Sequence, residues 1–252
     1  MSNKRFSARR VRGEATAEWR SFLRKPAAVF FTFVFPAILV ALFAAVVGAG
    51  GGFFKEPQGY YFAGYLAFVV LLTPLSRLSS TVARGRDHRR FEKLATTPLT
   101  RAEWLTAHVL VNGVLIVGAA VLIAALLVTV GGASLDIGAA DVPVVAAAVA
   151  LAVAAFCGVG ALIGAAVSSE DGAIAVSNGV GFPMLFLADT FVAPEVLGAG
   201  APVVKILPLT YFSRAVRGAT FTGEPTVRAL AILAAFAVVL LALAAYLLPW
   251  QD

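Results

Sequence analysis

Residues 105–130 read LTAHVLVNGVLIVGAAVLIAALLVTV, an apolar run whose only ionisable side chain is His108. A run of roughly 20 residues or more is long enough, as a helix, to cross about 30 Å of hydrocarbon. Working outward from it, five further segments have the same character, at 27–47, 60–83, 143–167, 173–193 and 226–248. The whole chain follows suit: 60% of its 252 residues are hydrophobic and 13% charged, with a mean hydropathy of +0.89. Soluble domains carry about 25% charged residues, and globular packing has no means of hiding this much apolar surface from water. The expected fold is an all-α integral membrane protein of six transmembrane helices, a single domain over 1–252.

The connectors set the orientation. Eight of the 20 Lys and Arg residues lie in 4–25 and six more in 84–101, whereas 48–59 (GAGGGFFKEPQG) and 131–142 (GGASLDIGAADV) are Gly-rich and hold one basic residue between them. Short basic loops stay inside, so both termini are expected in the cytoplasm of a multi-pass protein of the cell membrane. An even span count follows. The first apolar run is too long for a signal-peptide core and follows about 25 mostly polar residues, so it reads as a retained anchor. The net charge of +6 has no aromatic-interleaved basic face beside it, and nucleic acid is not an expected partner.

Three stretches outside the spans are patterned. In 1–25, Ala8, Val11, Ala15, Trp19 and Phe22 fall at helical spacing, with Arg9, Arg12, Arg20 and Arg24 on or near the other side. This reads as an interfacial helix whose partner is membrane lipid, with Trp19 at headgroup depth and arginines reaching anionic lipid. The alternative is a basic tail that only sets topology. Pro26 suits the first turn of the next helix.

In 84–104, RGRDHRRFEKLATTPLTRAEW, a short helix from about Asp87 to Ala95 places Phe91 and Leu94 on one face, and Thr97-Pro98 ends it. An apolar knob in a polar rim is a docking element; a solvated, topology-setting loop is the other reading. In 188–225, Pro194, Pro202 and Pro208 interrupt a stretch too apolar for a solvated loop. It reads as short re-entrant helices before the last span, covered by protein.

These stretches together resemble the membrane subunit of an ATP-binding-cassette exporter, of the type-2 permease class that includes the daunorubicin-resistance permeases. Arg20, Leu23, Arg24, Pro26, Phe33, Pro36, Leu42 and Phe43 resemble the family's elbow running into its first span. Arg86, Asp87, Phe91, Glu92, Leu94, Thr96, Thr97, Pro98, Leu99 and Arg101 sit at matching or conservative places of its loop pattern Glu-Arg-Glu-x-Gly-Thr-Leu-Glu-x-Leu-x-Thr-Pro-Leu-x-Arg, with one residue more before Thr97-Pro98. Pro208-Leu209-Thr210-Tyr211 with Arg217 resembles its outer segment. Gly85 and Arg89 depart from the loop pattern, standing where the family has an acidic residue and a glycine; Leu207 and Ala188-Asp189 depart from the outer one.

The resemblance implies a coupling helix that contacts a separate nucleotide-binding ATPase through Arg86, Asp87, Phe91, Glu92, Lys93, Leu94, Pro98 and Arg101. It implies an elbow built on Val11, Trp19, Phe22 and Arg24, and an outer gate region at Asp189, Pro208, Tyr211 and Arg217. The partners implied are two ATPase copies and a second permease half, a homodimer mate or a paralogue. ATP and Mg²⁺ belong to the ATPase, with no cofactor, metal or catalytic residue expected on this chain.

The residues themselves agree on the last point. The chain has no phosphate-cradling Gly-x-x-x-x-Gly-Lys-Ser/Thr loop, His-Glu-x-x-His or Gly-x-Ser-x-Gly. An ion-coupled carrier is the alternative function, with Asp189 its one candidate intramembrane carboxylate; an intramembrane enzyme would need paired ionisable groups that the spans scarcely offer. Within the spans, Arg77 reads as snorkelling to the inner interface, Asn112, Asn178 and His108 as interhelical hydrogen bonders, and Gly160-x-x-x-Gly164 as a close-packing face.

Overall fold

The computed structural model describes residues 6–48, 57–133, 135, 137–188, 190 and 201–250. Asp189 and most of the proline-rich stretch after it lie outside the described residues, as does Ser134 in the Gly-rich connector.

The described chain is helical: α1 (Ala8–Leu23), α2 (Pro26–Val29), a π-helical turn (Phe30–Val34), α3 (Phe35–Gly48), a 3₁₀ turn (Gln58–Tyr61), α4 (Phe62–Asp87), α5 (Arg90–Ala95), α6 (Arg101–Thr129), α7 (Asp141–Ala166), α8 (Glu170–Leu187), α9 (Ala201–Val204), α10 (Pro208–Arg217), a second π-helical turn (Gly218–Thr222) and α11 (Val227–Leu247). The helices over 59–87, 101–129, 141–166 and 227–247 are long and apolar enough to cross a membrane. A fifth candidate arises if Ala8–Leu23 and Pro26–Leu42, bent 92° to each other, make one broken span. Among the described residues there are therefore four to five candidate spans where the sequence suggests six. The segment expected at 173–193 is an 18-residue helix, Glu170–Leu187, and its two acids Glu170 and Asp171, with Asn178 and Pro183, lower its hydropathy.

Helix α4 is the central post. Of its most apolar stretch 72% is buried by protein, against 17% for α11, which lies mostly on the outside of the bundle. Helix α7 comes against α4 at glycines: a Cβ at Gly160 would sit 2.6 Å from the Leu75 carbonyl oxygen, and one at Gly164 would collide with the Ser79 carbonyl and Val82. Only a missing side chain permits backbones this close. The Gly160–Gly164 face thus packs within the subunit.

The bend between α1 and α2 has a local cause. Lys25 precedes Pro26, whose ring disfavours a helical conformation in the residue before it, and Lys25 accordingly leaves the helix at φ −111°, ψ 88°. Pro26 then starts α2 as its first residue.

Candidate functional site

At the end of the bundle where α1 and α5 lie, a capping motif organises the polar groups. Thr100 caps α6: its hydroxyl accepts from Glu103 N–H, and the Glu103 carboxylate accepts in return from Thr100 N–H at 2.9 Å. The same carboxylate, fully buried, accepts from Ser7 N–H at 2.6 Å and from both Nε and Nη2 of Arg10 at 2.9 and 2.6 Å. A cap of α6 thereby becomes the anchor for the start of α1. A buried carboxylate is tolerable only with such a full complement of donors.

Two further acids of α1 continue the row. Glu14 pairs with Arg90 of α5 at 2.9 Å and lies 3.7 Å from His108 Nε2 of α6. Burial pushes the Glu14 carboxyl up, but His108, Arg90 and Trp104 outweigh it and hold the group below its ordinary range. Glu18 pairs with Arg77 of α4 at 2.9 Å and lies 3.9 Å from His108 Nδ1. Arg77 also donates from Nε to Asn112 at 3.1 Å and lies over the Phe22 ring, 4.5 Å from its centroid. The Arg77 guanidinium, expected to snorkel, instead meets a carboxylate, an amide and a ring within the protein. Asn112 is the interhelical hydrogen bonder expected.

Val11 and Phe22 of the elbow are 5% and 2% exposed. Their face is turned onto the protein, with Phe22 packed against Val111 and Leu115 of α6. Of the expected elbow residues only Trp19 and Arg24 remain exposed. This corrects the orientation expected for the apolar stripe: an amphipathic pattern alone does not say whether its apolar side meets lipid or protein.

A second correction concerns the short helix. It begins at Arg90, three residues later than expected, because Arg89 takes a left-handed conformation at φ 52° and separates α4 from α5. Phe91 is no exposed knob. It is 3% exposed, with its ring 5.5 Å from Trp104 and 5.6 Å from Trp250 by centroids, and Leu94 is half-buried beside the same core. Gly85 makes room for that ring, since a Cβ there would lie 2.8 Å from Phe91 Cε2. The two departures from the family's loop pattern thus have structural causes or costs. Gly85 accommodates Phe91, and Arg89 occupies a left-handed position at which a glycine would be at ease.

The remaining loop residues divide into two groups. Arg86 donates to the carbonyls of Ala165 and Val167 at the end of α7, and Arg101 donates to those of Tyr246 in the last turn of α11 and Trp250 after it. Both arginines tie helix ends together. Asp87, Glu92, Lys93 and Pro98 are exposed, with His88, Arg89 and Thr96 among them. At the opposite end of the bundle, Pro208 starts α10, and the Tyr211 hydroxyl donates to the Lys205 carbonyl. Arg217 lies over the Tyr60 ring at 4.1 Å and donates to the Thr190 carbonyl at 3.2 Å.

A family profile described as ABC-2 type transporter matches residues 14–221. The chain belongs to the ABC-2 type transporter family. The match takes in the elbow from Glu14 onward, the α4–α6 loop and the α10 segment in the order described above. Among curated proteins no match is found. The chain is therefore a transmembrane permease of an ABC transporter, and the ion-pair row, the aromatic knot and α5 are features of such a permease. Glu14, Glu18, Arg90, Glu103 and His108 were not singled out as site residues from the sequence. Two signals were present: the Thr-x-x-Glu capping pattern at 100–103, and His108 as the only ionisable side chain of its apolar run.

Proposed function

We propose that this ABC-2 permease is the membrane half-subunit of an ATP-driven exporter, and that its ATPase is a separate chain docking on α5. In this reading α2–α3 and α8 complete six spans, and the basic end of the bundle, with both termini, faces the cytoplasm of the cell membrane. The working unit holds two permease halves, identical or paralogous, and two ATPases that carry ATP and Mg²⁺. The observation that carries the reading is the two-sided character of α5. Its apolar side is locked to α4, α6 and the residues after α11 through Phe91, Trp104 and Trp250, while Glu92 and Lys93 of the helix, with Asp87 and Pro98 flanking it, remain outward.

Mechanically, a push on α5 has nowhere to dissipate. The helix is joined to the aromatic knot by Phe91 and to the elbow by the Arg90–Glu14 pair. Displacement of α5 on closure of the ATPase dimer would carry these helix ends as one body, the kind of rigid shift by which packed helices exchange two states. Asp189, Pro208, Tyr211 and Arg217 are assigned to the outer gate region.

The test is copurification. Reversing the exposed acids with Asp87→Lys and Glu92→Lys should reduce the ATPase recovered with the permease most at low salt, the deficit against wild type shrinking as salt screens the charges, while leaving the permease's thermal stability unchanged. Full recovery of ATPase and of transport-stimulated ATP turnover in that variant refutes α5 as the docking element.

A further inference from the structure

The imidazole of His108 is enclosed by the ion-pair row, and its two nitrogens face different carboxylates of α1. Nε2 lies 3.7 Å from Glu14 Oε1, and Nδ1 lies 3.9 Å from Glu18 Oε2. The side chain is 1% exposed. Nε2 has no hydrogen-bond partner among the described residues. The Trp104 indole lies against the ring, tilted at 49° with 4.1 Å between centroids.

A neutral imidazole has one N–H and one lone pair. Whichever tautomer it adopts here, the lone pair is turned on one of the two carboxylates. The imidazolium has an N–H on both sides and suits both, and an indole face favours a cation beside it. Burial opposes the charged form, as do the arginines already paired with those carboxylates, Arg90 of α5 on Glu14 and Arg77 of α4 on Glu18. Lys25 at the bend also acts on Glu18, and on α6 itself Glu103 is taken by Arg10. The remaining segments packed on α6 add no charge at this level. Residues 26–48 and 142–166 hold none, their one titratable group being the buried Cys157. Arg228 of α11 is at the far end, since the last turn of α11 is the one that meets Arg101.

We infer that His108 is a proton-binding site that clamps the elbow: its imidazolium bridges Glu14 and Glu18 and holds the second half of α1 on α6. When the proton leaves to water, one carboxylate faces a lone pair and the clamp opens. The start of α1 stays fixed, because Glu103 still accepts from Ser7 N–H and Arg10. Glu14 is also the partner of Arg90 on α5, so the state of one proton governs how firmly the short loop helix is footed on the elbow. The stabilisation requires the proton, so it is present at low pH and lost as pH rises through the titration of the ring. The inference concerns the permease alone and does not depend on what docks on α5.

The experiment uses the full chain in detergent, without any ATPase. The sequence has two histidines, so His88→Asn, at an exposed position, leaves His108 as the single signal in a ring-nitrogen NMR spectrum of histidine-labelled protein. At about pH 6 both ring nitrogens should carry protons, and by about pH 8 a neutral tautomer should replace that form, the interval over which imidazoles ordinarily titrate. Over the same interval the unfolding temperature should fall by about 2–4 °C, the shift that about tenfold in the folding equilibrium gives a chain of this size. Amide exchange in α1, corrected for its intrinsic pH dependence, should rise relative to α7. His108→Gln should abolish both pH dependences. Glu14→Gln, which removes one of the two carboxylates and leaves only the half-buried Arg90 unpaired, should reduce them; it serves equally if the Gln variant at 108 folds poorly. A neutral His108 ring at about pH 6 in the folded permease overturns the inference. So does a pH dependence of stability and α1 exchange that His108→Gln, or Glu14→Gln in its place, leaves unchanged.

Discussion

The Phe91 ring stands edge-on to the Trp104 indole at 72°, with 5.5 Å between centroids. One residue belongs to a six-residue helix in a charged loop, the other to the first turn of a 29-residue helix. That contact, closed by Trp250 from the chain's end, makes a short surface helix part of the bundle. Edge-to-face pairs contribute about 0.5–1.5 kcal/mol beyond the area they bury.

Phe91→Ala should therefore act on stability first. Truncating a buried Phe costs about 3–5 kcal/mol, and the permease's thermal unfolding in detergent should shift down accordingly. Phe91→Leu should recover a good part of the loss. A Phe91→Ala protein as stable as wild type would contradict the burial described.

Arg89→Gly should stabilise. A left-handed backbone costs a non-glycine residue about 1–2 kcal/mol, while glycine pays more chain entropy on folding. The exposed Arg89–Glu92 pair, at 3.9 Å, contributes little to set against this. The expected net gain is up to about 1 kcal/mol, read as a raised unfolding temperature; a lowered one refutes the assignment of strain.

Most of the fold was legible in the sequence. The expected spans at 143–167 and 226–248 fall on α7 (Asp141–Ala166) and α11 (Val227–Leu247) within a few residues, because long uncharged apolar runs have one structural solution in lipid. Helix α6 starts four residues before its expected 105, since a capping box at Thr100 and Glu103 extends the helix into the charged loop. The elbow and the short loop helix were legible as helices, but the direction of their apolar faces was not. Val11, Phe22 and Phe91 follow the same periodicity whether lipid, an ATPase or their own bundle covers them. Nor could the row joining Glu14 and Glu18 to Arg90, Arg77 and His108 be read, because its members lie 59 or more residues apart in every pairing and only the folded elbow brings them together.

Breaking one member of that row should be worse than removing two. Arg77→Met leaves Glu18 buried without its cation, a change that typically costs about 3–5 kcal/mol. Adding Glu18→Gln should restore part of the lost stability. A double variant less stable than Arg77→Met alone contradicts the pairing at 2.9 Å.

At the α4–α7 contact, Gly164→Val should block assembly of the folded permease, because the Ser79 carbonyl and Val82 already fill the position of its Cβ. Gly113→Ala meets nothing within 4 Å and should be tolerated or gain about 0.5–1 kcal/mol. Detergent-resistant, monodisperse protein yield distinguishes the two, and equal yields would refute the close approach.

The central claim, that the outward side of α5 meets an ATPase, is tested most directly by site-specific photo-crosslinking in intact membranes. A photoreactive phenylalanine analogue would replace Glu92 or Lys93, both exposed on α5, with exposed Val121 on α6 as the control. An adduct between the permease and a phosphate-loop ATPase is expected from positions 92 and 93, and none from 121. An intact, transport-competent complex that gives no ATPase adduct from either loop position would contradict it.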